Sequence, residues 1–142
     1  MGAEKVYFSL GTNLGDREAN IREALSRMDA AFGRGYSALS SVIETPAWGF
    51  DGPAFLNCAV MYEIESDPFV VLEKVKEIER AMGRTGSAEF DASGRRIYHD
   101  RPIDIDILYY GDRLVETPEL KIPHTLIGER DFVKIPLAEI KA

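Results

Sequence analysis

Two periodicities alternate along this chain, and their order constrains the fold more than any other feature. Segments with an apolar residue at every third or fourth position follow Asp16 and Asp67, which predicts two amphipathic helices with aspartate N-caps. Segments with an apolar residue at every second position precede, separate and follow them, which predicts strands with one buried face. The predicted order is strand, helix, strand, strand, helix, strand.

This order predicts an α+β fold, a ferredoxin-like α/β sandwich with a split β-α-β core and a mixed or antiparallel sheet. An extra hairpin is expected after the last strand, where DRLVETP would pair across the Gly111–Asp112 turn. With 142 residues and no internal repeat, the chain 1–142 is expected to be a single catalytic domain. The main strands are expected in KVYFSLG, YSALSSVIET, FLNCAVMYEIE and RIYHDRPIDIDILYYG.

Between the second helix, expected to stop at Gly83, and the last main strand lies a segment without periodicity. Residues 85–94 are small and polar, and loops of this length in a compact domain are typically functional or disordered. After the hairpin, IPHTLIGERDFV suggests short helical turns and PLAEI an apolar terminal segment. We therefore expect a long loop next to the last main strand.

Charge and cysteine content narrow the classes of function. The net charge of −7 argues against general nucleic-acid binding, which needs a basic surface. Basic residues nevertheless crowd the second half of the chain, so a local site for a small anion remains open. No apolar run is long enough to span a membrane, and Cys58 is the only cysteine. A cytoplasmic protein with a buried structural thiol is expected.

The most informative short motif is RPIDIDILYY. As a strand it would place Ile103, Ile105, Ile107 and Tyr109 on one face and Asp104, Asp106, Leu108 and Tyr110 on the other. Two carboxylates about 7 Å apart on one face can hold a divalent cation, and magnesium typically takes one or two protein carboxylates plus phosphate oxygens. The alternative is an edge strand with a solvated polar face.

Several cationic side chains accompany the two aspartates. Arg84, Arg101, Arg130 and His124 lie within fifty residues of one another in a net acidic chain, and arginine is suited to bidentate phosphate contacts. Each arginine alone would be read as a solvated surface residue. Together with the aspartates they favour magnesium–nucleotide chemistry, although the chain contains no P-loop motif.

A second unusual stretch is TPAWGFDGPAFLN. It holds Trp48 and Phe50 among glycine and proline, and then Phe55 and Asn57 at a spacing of two. Aromatic rings beside a carboxamide suit a flat heterocycle, which would stack on the rings and hydrogen-bond through its edge. A hydrophobic loop folded over the core is the alternative reading.

Nearly the whole chain resembles the 6-hydroxymethyl-7,8-dihydropterin pyrophosphokinase family of folate biosynthesis. The resemblance is carried, in order and at family-like spacing, by SLGTNLGD, ETPAWG…FLNCAV, EIERAMGR, DRPIDIDILYYG and IPHTLIGERDFVKIPLAEI. It implies transfer of pyrophosphate from ATP to the hydroxymethyl group of the pterin, with release of AMP. The loop from Thr85 to Asp100 would correspond to one that closes over both substrates.

The resemblance also implies roles for individual residues. Two magnesium ions would bind Asp104 and Asp106, and catalysis would depend on Arg84, Arg101 and Asp106. ATP would be bound by Glu79, Arg84, Arg101, Ile107, His124, Thr125 and Arg130. The pterin would be bound by Thr45, Pro46, Trp48, Gly49, Phe55, Asn57 and Phe132.

Two rival readings use the same residues differently. A metal-dependent phosphohydrolase would use the aspartates to hydrolyse ATP without any pterin. A non-catalytic ferredoxin-like ligand-binding module would use them structurally. For the pyrophosphokinase reading, the partners are small-molecule substrates alone, with neither nucleic acid nor membrane, and a monomer is expected.

Overall fold

The structure is a computed structural model that describes most of the chain. For 89–90, 96–97 and 131–132 it describes the backbone without the side chains. The described residues are 3–46, 54–83, 89–90, 96–97, 103–124, 127 and 131–141.

Three helices and nine strands are present in the described residues. The helices are α1 (Arg17–Phe32), α2 (Pro68–Ala81) and α3 (Asp131–Ile140). The longer strands are β1 (Glu4–Thr12), β4 (Phe55–Ile64) and β7 (Asp104–Tyr110). The shorter strands are β2 (Ala38–Leu39), β3 (Ile43–Thr45), β5 (Glu89–Phe90), β6 (Arg96–Ile97), β8 (Val115–Glu116) and β9 (Lys121–Ile122).

The main sheet has β1 at its centre. The strand order is β2-β4-β1-β7, with β3 also paired to β4, and every described pairing is antiparallel. Helices α1 and α2 pack on one face, where their apolar stripes meet the inward residues of β1, β4 and β7. Helix α3 packs on the opposite face. The predicted ferredoxin-like α+β architecture is confirmed.

Both predicted aspartate caps form. A carboxylate oxygen of Asp16 accepts a hydrogen bond from the Ala19 N–H at 3.0 Å, and one of Asp67 accepts from the Phe69 N–H at 2.8 Å. Each bond satisfies a backbone donor that the first helical turn leaves unpaired. Helix α2 also has its proline in the first turn, where no N–H is needed.

The face covered by α1 and α2 is a closed apolar core. Cys58 is fully buried within it, and burial raises the pKa of its thiol to about 12. A thiol with this pKa stays protonated near neutral pH and is a poor nucleophile. The expectation of a structural cysteine agrees with this environment.

Three short segments differ from the predictions. The stretch YSALSSVIET forms two strands, β2 and β3, which pair with β4 on either side of an interruption at 40–42. The extra hairpin joins β8 to β9, so the prediction that DRLVETP pairs across the Gly111–Asp112 turn is wrong. Residues 85–94, predicted as a loop, contain strand β5, which pairs with β6 at the start of the predicted strand RIYHDRPIDIDILYYG; the other residues of 85–94 lie outside the described ones.

The far end of β7 also departs from simple alternation. Tyr7 pairs with Tyr109 whereas Phe8 pairs with Ile107, so Leu108 is an extra residue, a β-bulge. Beyond it the faces exchange: Leu108 and Tyr109 pack on the α3 side, and Tyr110 is buried in the core under α1 and α2. The predicted faces of Tyr109 and Tyr110 are therefore wrong, while those of Asp104, Ile105 and Asp106 hold.

None of the helices in the described part of the chain combines the length and the apolar character that crossing a bilayer requires.

Candidate active site

The candidate site lies on the sheet face opposite α1 and α2. Asp104 and Asp106 are half-buried there, and the register places Asp104 opposite Gly11 and Asp106 opposite Ser9. On its other side Gly11 is opposite Asn57 of β4. Because directly opposed residues project to the same face of a sheet, Asn57, Gly11 and Asp104 form one row across three strands.

The peptide between the two aspartates is held by a third carboxylate. A side-chain oxygen of Glu79, near the end of α2, accepts a hydrogen bond from the Ile105 N–H at 2.9 Å. Glu79 therefore lies next to the carboxylate pair, and its assignment to the ATP site stays a prediction. Locally, this hydrogen bond fixes the backbone of β7 between Asp104 and Asp106.

The bulge in β7 positions His124. The backbone N–H of His124 donates to the carbonyl oxygen of Leu108 at 3.0 Å, so the bulged residue anchors the segment after β9. The His124 Nε2 atom then lies 3.9 Å from Asp106 Oδ1. Both side chains remain partly exposed, at 25% for His124 and 35% for Asp106, so a charged ligand can reach them.

The pterin-binding residues predicted on β3 and β4 gather at the other end of the row. Asn57 is buried, and its Nδ2 donates a hydrogen bond to Thr45 Oγ1 at 2.7 Å. Phe55 pairs with Thr45 across the two strands and is half-buried, while Pro46 directly follows β3 and is exposed. A buried amide beside an accessible aromatic ring is suited to recognising the edge of a flat heterocycle.

One residue that the sequence reasoning missed supports this end of the site. Arg17, the first residue of α1, donates from Nη1 to the Ala54 carbonyl oxygen at 2.8 Å and pairs with Glu44 Oε2 at 2.7 Å. Glu44 and Ala54 lie on β3 and just before β4, so one guanidinium ties the two strands together. No motif marks Arg17, because its partners are distant in sequence.

The polar side chains of the turn GTNLGD, which joins β1 to α1, are hydrogen-bonded within the chain. Asn20 Nδ2 donates to Thr12 Oγ1 at 3.1 Å and to the Leu14 carbonyl oxygen at 2.7 Å. Thr12 and Asn13 are buried. These bonds hold the segment as a tight strand-to-helix turn.

The other predicted site residues are only partly described. Ile107 is buried in the core under α1 and α2, on the face away from the aspartates, and its assignment to the ATP site stays a prediction. Phe132 lies in the first turn of α3, where its side chain is not described. The predicted residues outside the described part of the chain are Trp48, Gly49, Arg84, Arg101, Thr125 and Arg130.

The carboxylate pair has a donor set that suits magnesium. In the described residues no three His, Cys, Asp or Glu side chains gather as a ligand cluster, so a fully protein-built cage is not found there. Two half-buried carboxylates on alternate positions of one strand face do meet what magnesium requires, since it usually keeps water and substrate phosphate oxygens as its other ligands. The residues therefore fit a nucleotide-bound magnesium ion.

Comparison with known proteins gives a consistent result. Residues 7–142 match the family model described as 7,8-dihydro-6-hydroxymethylpterin-pyrophosphokinase. A 2-amino-4-hydroxy-6-hydroxymethyldihydropteridine pyrophosphokinase of Porphyromonas gingivalis is 43% identical over 137 residues, covering 95% of this chain and 89% of that protein. The protein of the same name from Bacillus subtilis is 36% identical over 135 residues, covering 94% and 76%.

A larger protein shows the same similarity over a part of its length. The mitochondrial folate synthesis bifunctional protein of Pisum sativum is 41% identical over 138 residues, which are 96% of this chain and 25% of that protein. The family model spans nearly all of the sequence, including both aspartates, Asn57 and Glu79. The chain belongs to the 7,8-dihydro-6-hydroxymethylpterin-pyrophosphokinase family.

Proposed function

We propose that this protein transfers pyrophosphate from ATP to the hydroxymethyl group of 6-hydroxymethyl-7,8-dihydropterin, giving AMP and the pterin diphosphate. The observation that carries the proposal is the row across the sheet. It sets a carboxylate pair for a metal–nucleotide at Asp104 and Asp106 and a buried amide for a heterocycle at Asn57, with Gly11 between them. The family match gives this arrangement its specific substrates.

In the proposed reaction one bond forms and one breaks at the β-phosphorus of ATP. The hydroxymethyl oxygen of the pterin attacks this phosphorus, and the bond from the phosphorus to the oxygen that bridges the α and β phosphates breaks. AMP leaves with the bridging oxygen, and the hydroxymethyl proton is released. Asp106 is the described carboxylate proposed to accept that proton, because it is half-exposed on the reactive face.

Asp104 and Asp106 would hold two magnesium ions together with the phosphate oxygens of ATP. Bound there, the ions would supply positive charge against the triphosphate and the departing AMP. Glu79 keeps the β7 backbone fixed between the two aspartates, and His124 lies beside Asp106. Both residues thereby hold the carboxylates in place, which matters because pyrophosphoryl transfer depends mainly on positioning and charge stabilisation.

The proposal extends to residues outside the described part of the chain. Arg84 and Arg101 would stabilise the transferring group, and Thr125 and Arg130 would contact ATP, as the family resemblance implies. Trp48, with Phe55 and Phe132, would hold the pterin ring by stacking. These assignments rest on sequence position.

We also propose that residues 1–142 act as one catalytic domain and as a monomer in the cytoplasm. Support comes from the single β1-centred main sheet, covered by helices on both faces, and from substrates that are small soluble molecules. Sedimentation at increasing protein concentration tests the monomer, since a mass that rises toward twice 15.9 kDa would contradict it.

One incubation tests the function. The protein is mixed with magnesium and ATP, with and without 6-hydroxymethyl-7,8-dihydropterin, and AMP and the pterin diphosphate are quantified. We expect equal amounts of both products, formed only when the pterin is present. Phosphate release without pterin would instead indicate a phosphohydrolase, and the absence of turnover and of magnesium-dependent ATP binding would indicate a binding module.

A further inference from the structure

We propose that Gly11 is a specificity-determining position for the pterin, because its missing side chain lets the Asn57 amide lie directly over β1. The inference rests on the proposed function, in which Asn57 hydrogen-bonds the heterocycle. Neither the sequence motifs nor the family comparison assigns Gly11 a role. Its importance comes from its place between Asn57 on one neighbouring strand and Asp104 on the other.

The space above Gly11 is occupied by the recognition side chains themselves. A Cβ atom built on Gly11 would lie 2.9 Å from Asn57 Oδ1 and 3.5 Å from Phe55 Cδ1. Real Cβ atoms essentially never come within 3.0 Å of another heavy atom, so the amide would have to move. Asn57 is only 2% exposed and has a short side chain, which leaves it little room to do so.

Backbone conformation is not what requires glycine at this position. Gly11 is absent from the glycines with positive φ, which are Gly15, Gly33, Gly83 and Gly111. It lies inside β1 with regular pairing on both sides. An alanine is therefore allowed by the backbone, and the close approach of Asn57 and Phe55 is the remaining reason for glycine.

A second contact fixes the same amide. Thr45 Oγ1 accepts the hydrogen bond from Asn57 Nδ2, so the NH2 end of the amide points to Thr45 and the carbonyl end lies over Gly11. An amide held this way presents its oxygen as an acceptor. The ligand class that it selects is a planar heterocycle with N–H donors along one edge, a property that a pterin ring has.

The substitution Gly11→Ala tests the proposal, with Gly35→Ala as the matched control. Gly35 also lacks a positive φ, and no atom lies within 4 Å of the place that an alanine methyl group would take there. Calorimetry would measure the Kd of 6-hydroxymethyl-7,8-dihydropterin in the presence of a nonhydrolysable ATP analogue, and the Kd of the analogue itself. We expect Gly11→Ala to raise the pterin Kd at least about tenfold and to change the Kd of the ATP analogue less than about twofold. The control Gly35→Ala should change neither Kd. An unchanged pterin Kd in Gly11→Ala would overturn the proposal.

A double-mutant cycle shows whether Gly11 acts through Asn57. If it does, Gly11→Ala combined with Asn57→Ala binds the pterin no more weakly than Asn57→Ala alone, because the amide that the methyl displaces is already gone. If the losses of pterin affinity from the two substitutions multiplied in the double variant, Gly11 would not act through Asn57. This inference would then fail, although the proposed pterin reaction would still stand. A normal pterin Kd in Asn57→Ala would overturn both this inference and the pterin site of the proposed function.

Thr45 provides a test that does not depend on the folding of Gly11→Ala. Thr45→Val keeps the shape of the side chain and removes the acceptor, so the amide loses its other fixed contact. We expect the pterin Kd to rise severalfold in Thr45→Val and to return toward the original value in Thr45→Ser, which restores a hydroxyl. Original affinity in Thr45→Val would show that the amide does not need this support, and the proposal would fail.

Discussion

The two faces of the main sheet are built from the same three long strands but differ in polarity. Under α1 and α2 the face is continuously apolar, from Val6 and Phe8 on β1 to Ile105 and Ile107 on β7. On the opposite face, α3 covers an apolar half that includes Tyr7, and the remainder carries polar side chains, the buried Ser9 and Asn57 and the two half-buried aspartates.

Residues that stabilise the core and residues of the candidate site therefore alternate along the same strand. Ile105 lies between Asp104 and Asp106 in sequence, yet its side chain is in the core whereas theirs are at the site. Neighbouring substitutions on β7 should therefore have opposite phenotypes.

The largest change in activity is expected from substitutions on the face that carries the candidate site. Asp104→Ala and Asp106→Ala should each lower the rate of AMP formation by at least about a hundredfold, since each removes a charge that is proposed to position the metal–nucleotide. Their thermal unfolding should stay close to that of the original protein, because both side chains are only half-buried. Asp112→Ala, in the exposed turn after β7, is the control, and near-normal turnover in both aspartate variants would refute the metal assignment.

The adjacent core position should give the reverse result. Ile105→Ala should lower the free energy of unfolding by about 2–5 kcal/mol, since it removes buried methyl groups and leaves a cavity. The folded fraction should still bind ATP. Urea unfolding measures the change, with Ile135→Ala, an exposed isoleucine on α3, expected within about 0.5 kcal/mol of the original. Equal stability of the two variants would contradict the separation of the faces.

Glu79 reaches from the helix-covered side to the backbone between the aspartates, so it tests how the faces are coupled. Glu79→Ala should cost about 1–3 kcal/mol, because the Ile105 N–H loses a charged acceptor. Hydrogen exchange of that amide should accelerate, whereas Glu79→Gln, which keeps an acceptor oxygen, should retain much of the protection. Glu77→Ala, exposed on the same helix, should leave the amide unchanged. Unaltered exchange in Glu79→Ala would show that the bond is dispensable.

The smallest effect is expected where α3 is fastened to the sheet. Glu139 accepts hydrogen bonds from the Ser41 N–H at 2.9 Å and the Ser41 hydroxyl at 2.6 Å, and these bonds lower the pKa of its carboxyl. A lowered folded-state pKa means that the stabilisation is present above the ordinary value of 4.5 and is lost as the pH falls through the folded-state pKa.

The corresponding test compares thermal unfolding of the original protein and Glu139→Gln from pH 7 down to pH 3. The small difference in Tm between them should shrink as the solution is acidified, and Glu119→Gln, exposed in a loop, should show no such trend. A difference that grows toward low pH would reverse the sign and contradict the assignment.

Hydrophobic periodicity and the aspartate caps predicted α1 and α2, because each depends on residues close in sequence. The single helix α3 (Asp131–Ile140), which contains Pro136, was expected only as short helical turns and an apolar terminal segment. Hydrophobic periodicity failed at the far end of β7. Leu108, Tyr109 and Tyr110 are all apolar or aromatic, so no polar residue marks which face each one takes. The bulge becomes visible only in the pairing of β7 with Tyr7 and Phe8 of β1.

Sequence reasoning likewise found the parts of the candidate site that depend on residues close in sequence and missed those that depend on distant partners. Local motifs identified Asp104, Asp106 and Asn57, and the structure brings them onto one face. Arg17 and Gly11 were missed because their significance lies in partners far along the chain, Ala54 for one and Asn57 for the other. A glycine or an arginine carries no sequence signal for such a partner.

The extra residue in β7 has the effect of a frame shift inside a single strand. Before Leu108, the even-numbered positions lie on the face of the candidate site. After it, Tyr109 faces α3 and meets the Tyr7 ring edge-on, and Tyr110 enters the core. Deleting Leu108 would restore regular alternation, with Tyr109 still on the α3 side, Tyr110 still in the core and Asp104 and Asp106 still on the face of the candidate site. What the extra residue adds is a backbone carbonyl oxygen that accepts the His124 N–H and so positions the segment after β9.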